Sequence, residues 1–416
     1  MTDVEIRALA EPTTRVRGRW VALLFLANLG VWMAFFTPIQ VLLPQQVADI
    51  DPAHKETMLG LVTGIGAAVA VIANPLAGAL SDHTRFVLGG RAYGRRHVWT
   101  LGSALLGALA LVFLAGQHTI AGVVLGWVLA QACFNAMLAS LTAAVPDRVP
   151  VAQRGAVSGW VGMPQIVGLV LGVVLVTAVV SGTANGYVAV AIAVALLAVP
   201  FVLATPDDPL PREHRAALRL RALVAGMWVR DRDFRWAWVT RFLVQLGNAL
   251  GTLYLLYFLR DKVRHPHPED GLLVLILVYA AGLVSTTVLA GRASDRTGRR
   301  KVFVIWSGVV MAFAALLLAA WPTWPVAVLA AAVLGAGYGV YVAVDAALIT
   351  QVLPRATDRA KDLGVINIAN SAPQVLGPAL SAPIVVHLGG YPVLYVLTAV
   401  VTLLGSVFVR KIRSVP

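Results

Sequence analysis

Twelve stretches of this chain are long and apolar enough to cross a lipid bilayer, and that leaves little room for a water-soluble fold. A helix rises about 1.5 Å per residue, so about 20 apolar residues span the hydrocarbon layer. The stretches lie near residues 20–43, 57–80, 98–117, 119–145, 156–180, 187–204, 236–259, 271–291, 302–321, 326–351, 364–386 and 391–409. With 59% hydrophobic and 13% charged residues, there is too little polar surface to cover a soluble domain. Hydrocarbon offers backbone groups no partners, and a helix satisfies them within itself. The sequence therefore predicts an all-α polytopic membrane protein. The first span is too long for the apolar part of a cleaved signal, and Asn28, Trp32 and Gln40 interrupt it, so it is expected to be retained.

The net charge of +13 is unevenly placed. Of the 33 Lys and Arg, only Lys55, Arg260, Lys262 and Arg264 fall in segments that twelve crossings place on the outer side. Positive charge is retained on the cytoplasmic side of membranes, so the pattern predicts a multi-pass cell-membrane protein with both termini in the cytoplasm. The basic residues are expected to meet lipid headgroups and not nucleic acid. Cys133 is the sole cysteine, which excludes disulfides within the chain and cysteine-rich metal centres.

Two polar turns stand at matching places in the two halves. Gly291-Arg292-Ala293-Ser294-Asp295-Arg296-Thr297-Gly298-Arg299-Arg300 separates the eighth and ninth spans, and an imperfect copy, Gly78, Asp82, Gly94, Arg95 and Arg96, separates the second and third. A second echo links Arg154, Gly159, Pro164-Gln165 and Gly168 in the fifth span to Arg359, Gly364, Pro373-Gln374 and Gly377 in the eleventh. Two pseudo-symmetric six-helix bundles follow from this duplication. The expected divisions are a cytoplasmic N-terminus (1–19), an N-terminal bundle (20–204), a basic linker (205–235), a C-terminal bundle (236–409) and a cytoplasmic C-terminus (410–416). Within the linker, apolar residues alternate with arginines at helical spacing. That suits an interfacial helix on the anionic leaflet as well as it suits a solvated tether.

The Gly-x-x-x-Asp-Arg-x-Gly-Arg-Arg turn between apolar spans resembles the inter-helix signature of the major facilitator superfamily of secondary transporters. The resemblance implies that superfamily's twelve-helix fold, alternating-access movement of a small molecule, a monomer, and a gating role for the motif residues. The competing reading is a solvated basic turn that only fixes topology. The longer first loop, Asp82-His83-Thr84-Arg85 followed by Gly94-Arg95-Arg96-His97-Val98-Trp99, is similar to that of glycoside–pentoside–hexuronide and sucrose-type cation symporters. Residues 57–80 hold no acidic residue, so sodium coupling in the manner of the melibiose-permease branch is not expected. The drug–proton antiporter signature of the fifth helix is only loosely echoed by Gly159, Gly162-Met163-Pro164 and Gly168.

Of the 20 acidic residues, Asp345 alone lies well inside a span. An ionised carboxylate there requires water or a partner, which marks it as functional. Arg241 lies at a similar depth in the seventh span, and the resemblance puts both beside a central cavity. Asp345 is either a proton-coupling carboxylate, binding and releasing its proton as Arg241 leaves and returns, or a structural brace pairing with Arg299 or Arg300. A third reading is a carboxylate snorkelling to the surface.

Arg241, Gln245, Asn248 and Thr252 form one helical stripe. Other candidate cavity residues are Asn28 and Trp32 in the first span, Trp127, Gln131 and Asn135 in the fourth, Gln165 in the fifth, and Asn367, Asn370 and Gln374 in the eleventh. Amides facing a cavity exchange hydrogen bonds with hydroxyls and indoles pack against sugar-like rings, which favours a neutral, hydroxylated substrate. The same amides could instead bond helix to helix. Gly335 and Gly339 suit close helix packing better than ligand contact.

No nucleotide-binding loop, zinc-protease pair, nucleophile elbow or metal-ligand spacing occurs. A proton gradient is therefore the expected energy source, with no cofactor and no metal. A proton-driven drug or metabolite exporter is the alternative transporter. A membrane-embedded enzyme using Asp345 or a histidine as base is the rival class, disfavoured because five of the eight histidines fall in loops.

Overall fold

The computed structural model describes residues 12–84, 86–88, 91–209, 232–352 and 359–414. Helix α1 (Gly18–Thr37) runs through a π-helical turn, Pro38–Leu42, into Leu43–Ile50. It is followed by α2 (Lys55–His83), a hairpin of β1 (Phe86–Leu88) and β2 (Arg91–Tyr93), α3 (Arg95–Ala115) and α4 (Ile120–Arg148). The first half ends with α5 (Val151–Val174) and α6 (Thr183–Ala204). The second half holds α7 (Arg232–Leu253), α8 (Pro268–Thr297), α9 (Arg300–Ala320), α10 (Trp324–Val352), α11 (Arg359–His387) and α12 (Gly390–Phe408).

Among the described residues, ten helices are long and apolar enough to cross a membrane. An eleventh forms if α7 is joined to Leu255–Val263 across a 44° bend. Helix α11 is equally long, with 29 residues, but more polar. Exposed Ile72, Leu109, Leu196, Leu289 and Trp306 would be costly in water and suit lipid.

Local chemistry sets several helix ends. Thr119 caps α4, its hydroxyl accepting from the Gly122 amide at 3.2 Å. Pro268 opens α8 with Glu269 and Asp270 in the first turn, where carboxylates oppose the helix dipole. That helix stops where Gly298 adopts left-handed backbone, φ 65°. Two edges lie beyond those expected: the helical path begun by α1 runs on through the π-helical turn to Ile50, and α8 carries the second motif's Asp295 within its last turn. The antiparallel pairing of Phe86 with Tyr93 and Leu88 with Arg91 was not anticipated in the longer first loop.

The chain forms two compact units, one of Met1–Pro52 and Ala68–Arg219, the other of Ala53–Ala67 and Leu220–Pro416. The boundary falls inside the expected linker, of which residues 210–231 lie outside the described residues, and with them the interfacial-helix question. The start of α2 joins the second unit through named contacts. Lys55 Nζ lies 2.7 Å from Asp261 Oδ1, the Tyr391 hydroxyl donates to Asp261 Oδ2 at 3.0 Å, and the Tyr254 hydroxyl donates to the Glu56 carbonyl at 2.8 Å.

Within the first unit the main pairings are α1 with α5 and α6, and α3 with α4 and α6. Within the second they are α8 with α10, α7 with α11 and α12, and α9 with α10 and α12. Apart from α8 with α10, the second set is the first with each helix advanced by half the series, so the duplication read in the motifs extends to most of the packing.

One close approach in the second unit depends on glycine. A Cβ on Gly335 would overlap the Tyr279 carbonyl, and one on Gly339 would overlap the Leu283 carbonyl. Thr286 and Thr287 reinforce the α8–α10 seam by donating to the Ala336 and Gly339 carbonyls at 2.9 and 3.2 Å. The motif glycines differ. A Cβ on Gly78 would meet Ala139 at 4.0 Å and one on Gly291 would meet Ala343 at 3.9 Å, both ordinary contacts. Gly335→Ala should therefore cost about 1–3 kcal/mol, seen as a lower unfolding temperature of the purified protein, while Gly291→Ala should leave that temperature near the wild-type value. Equal temperatures for Gly335→Ala and wild type would contradict the close seam.

Candidate functional site

The first motif brings two adjacent arginines under cover. Helix α2 ends one residue after Asp82, and α3 opens with Arg95 and Arg96, which are 8% and 4% exposed. Burying two cations side by side requires compensating anions. Asp147, at the end of α4, supplies most of it: its Oδ2 lies 3.1 Å from Arg95 Nη2 and 2.8 Å from Arg96 Nε. Arg96 also pairs with Asp82 and donates to Ser81 Oγ, and Arg95 Nη1 reaches the Asp82 carbonyl at 3.4 Å. Sequence reasoning assigned no role to Asp147. An acid at a span end facing a basic motif was the available signal.

In the second copy, Arg296 and Arg299 are exposed and Arg300 is half-buried, while the side chain of Asp295 is outside the described residues.

The second unit gathers Arg241 and Gln245 of the polar stripe into one network. Arg241 Nη1 lies 3.1 Å from Asp345 Oδ2, and Arg241 Nε donates to Asn370 Oδ1 at 2.6 Å. Asn370 Oδ1 also accepts from Gln245 Nε2 at 3.1 Å, and Gln245 Oε1 accepts from the Tyr338 hydroxyl at 2.7 Å. The chain of bonds leaves α10 at Tyr338, crosses α7 and α11, and returns to α10 at Asp345. It carries one cation and one anion. Its amide orientations are fixed by Arg241, which can only donate: Asn370 must present Oδ1 to it, so Gln245 donates to that oxygen and is left to accept from Tyr338. Asn248 lies one turn further along α7; its side-chain amide bonds to the Tyr279 hydroxyl while its Oδ1 is buried without a donor among the described residues, and its carbonyl accepts from Thr252 at 2.9 Å. Asn367 and Gln374 are on α11, but their side chains are outside the described residues. Tyr338 was missed in the sequence, although it precedes Asp345 by two helical turns on the same face.

In the first unit the candidate amides are bonded within their own helices. Asn28 is buried and donates to the Leu24 carbonyl at 2.8 Å. Asn135 Nδ2 donates to Gln131 Oε1 at 3.0 Å and to the Gln131 carbonyl at 2.9 Å. Trp127 is fully buried, Trp32 stacks on Phe36 with ring centroids 5.5 Å apart, and Gln165 is exposed. Among the described residues, no group of three or more His, Cys, Asp or Glu side chains is arranged to hold a metal ion.

The two motif carboxylates should differ in weight. Asp147 serves both arginines with a side chain 28% exposed, whereas the Asp82 side chain is 53% exposed. Asp147→Asn should destabilise the protein by about 2–3 kcal/mol and Asp82→Asn by under about 1 kcal/mol, measured by thermal unfolding. The reverse order would contradict the bridging role of Asp147.

The family model of the Major Facilitator Superfamily matches residues 21–285 and 237–416. No curated protein sequence matches the chain. Among solved structures, the fold is similar to the human organic anion transporter MFSD10 (TETRAN), with 18% identity, TM-score 0.68, and coverage of 94% of this chain and 99% of that one. It is also similar to a point mutant of the nucleoside transporter NupG, with 14% identity, TM-score 0.70, and coverage of 94% and 100%. With twelve long helices among the described residues, in two matching halves, and a family model that covers nearly the whole sequence, the chain belongs to the major facilitator superfamily.

Proposed function

We propose that this protein is a proton-driven secondary transporter of the cell membrane that carries a small, neutral, hydroxylated molecule by alternating access, with both termini in the cytoplasm. The observation that carries this reading is the Arg241–Asp345 pair inside a network of two amides and a tyrosine. The pair cancels its own charge, so the polar groups around it offer hydrogen bonds in a site of no net charge. That favours a neutral substrate over an ion. The buried, undonated Asn248 Oδ1 is suited to accept from a substrate hydroxyl.

Coupling follows from the same geometry. While Arg241 holds Asp345, the carboxylate stays ionised in a site that would otherwise reject it. When the substrate draws Arg241 away, the carboxylate loses its partner and takes a proton. Substrate and proton then cross together, because the proton is released only when Arg241 returns. Motif residues Asp82, Arg95 and Arg96 would hold one of the gating states. No resident cofactor is involved, and the substrate leaves chemically unchanged, which separates this reading from an enzyme.

A second reading rests on Arg241. Protonation of Asp345 would leave that guanidinium free for an acidic substrate, as in a proton-linked carrier or exporter of organic anions. Proteoliposomes with an imposed pH gradient, screened with polyols and sugars against carboxylates and lipophilic cations, separate the two. Uptake of carboxylates alone would overturn the neutral-substrate reading.

Asp345→Asn should abolish gradient-driven accumulation yet preserve counterflow, because substrate-for-substrate exchange needs the moving scaffold without net proton transfer. If both are lost and a second change at Arg241 restores some of each, Asp345 is a brace. Gln245→Ala and Asn248→Ala should each weaken substrate binding by on the order of 1 kcal/mol, measured as a several-fold rise in the half-saturating concentration. Unchanged affinity with lowered thermal stability would reassign these amides to helix–helix bonding.

A further inference from the structure

Gly94 is the N-cap of α3 and has no side chain with which to cap it. Its carbonyl accepts from the Val98 amide at 3.3 Å, which makes Arg95, Arg96 and His97 the first three helical residues. Their amides have no partner within the helix. The third is satisfied from far away in the sequence: the His97 amide donates to Asp207 Oδ2 at 2.8 Å. An N-cap side chain makes this same bond. A Cβ on Gly94 would overlap the Asp207 carboxylate, so the motif glycine is what leaves room for it.

Neighbouring residues hold the segment after α6 in place. The Thr205 hydroxyl donates to the Phe201 carbonyl at 2.7 Å, so its oxygen receives the His97 Nε2 proton at 2.9 Å. Asp208 Oδ2 pairs with Arg148 Nη1 at 3.0 Å, beside the Asp147 that bridges the motif arginines.

We propose that Asp207 is the positioning residue of the Gly94-Arg95-Arg96 motif, a cap supplied by the start of the linker that fixes the first turn of α3 and so aims both arginines at Asp147 and Asp82. Its bearing on transport rests on the gating reading of that motif. Burial raises the pKa of Asp207 against the opposing pull of the His97 amide and ring, Arg148 and Arg96. A group with a raised pKa in the docked state binds there at least as well protonated as ionised, so docking does not depend on the negative charge. An uncharged amide of the same shape should therefore substitute for it.

Amide hydrogen exchange on the full chain in lipid nanodiscs tests this. Asp207→Ala should speed exchange at residues 95–98 by about five- to tenfold. It should also speed exchange at residues 78–84, which do not touch Asp207 and are held by Arg95 and Arg96. Asp207→Asn should stay within about twofold of wild type at both places, since asparagine is as good a cap as aspartate. Gly94→Ala should reproduce Asp207→Ala, and the double variant should be no worse than either single one. Unchanged exchange at 78–84 in Asp207→Ala would leave only a local cap and overturn the positioning role, as would a Gly94→Ala variant that exchanges like wild type. Neither readout involves transport. A failed gate would show separately, as Asp82→Asn transporting at the wild-type rate with these exchange patterns intact.

Discussion

A charge or an unpaired backbone group in hydrocarbon is costly, and every feature of this protein answers to that cost. The backbone meets it by becoming helical. The charges meet it by pairing: Arg95 and Arg96 with Asp147 and Asp82 in one unit, Arg241 with Asp345 in the other. Each pair is more than a stabilising contact, because separating its members leaves an ion that must find another partner, water or a proton. A transporter can use that requirement. Motion is coupled to chemistry when the only way to open a pair is to supply something in its place.

The two paired sites are built differently. The motif cluster is dense with charge, and one carboxylate serves two guanidiniums, so it favours a single arrangement. The Arg241 site is sparse in charge and rich in amides whose donors and acceptors form a relay. A relay can exchange one member for a substrate hydroxyl at small cost. Rigidity around it comes from glycine-dependent packing of α8 on α10, which holds Tyr338 and Asp345 on a fixed rail.

Several features were legible in the sequence because they are periodic or local. Hydropathy marked the spans, the repeated motif marked the halves, and the depth of Asp345 and Arg241 marked them as charges needing compensation. The α7 stripe of Arg241, Gln245, Asn248 and Thr252 was visible at helical spacing. A stripe, however, names a face and not what that face meets. Gln245 of the α7 stripe joins a bond network across three helices, whereas Gln131 and Asn135 in α4, with the same spacing, bond to each other. Nothing in either sequence pattern distinguishes the two outcomes.

The sequence by itself determined the solvent, the helical class, the two-fold repeat and the residues whose charge demands a partner, since each follows from composition, period or burial cost along one chain. The tertiary structure alone decided which partners were chosen. Asp147 comes to Arg95 and Arg96 from the end of another helix, Asn370 comes to Arg241 across a helix seam, and Asp207 reaches the bare N-terminus of α3 from beyond α6. These meetings depend on crossing positions and helix rotation, which are set by side-chain packing between segments distant in sequence. A linear pattern shows that an arginine needs an anion or that a helix end needs a cap; only the packed helices show which residue arrives.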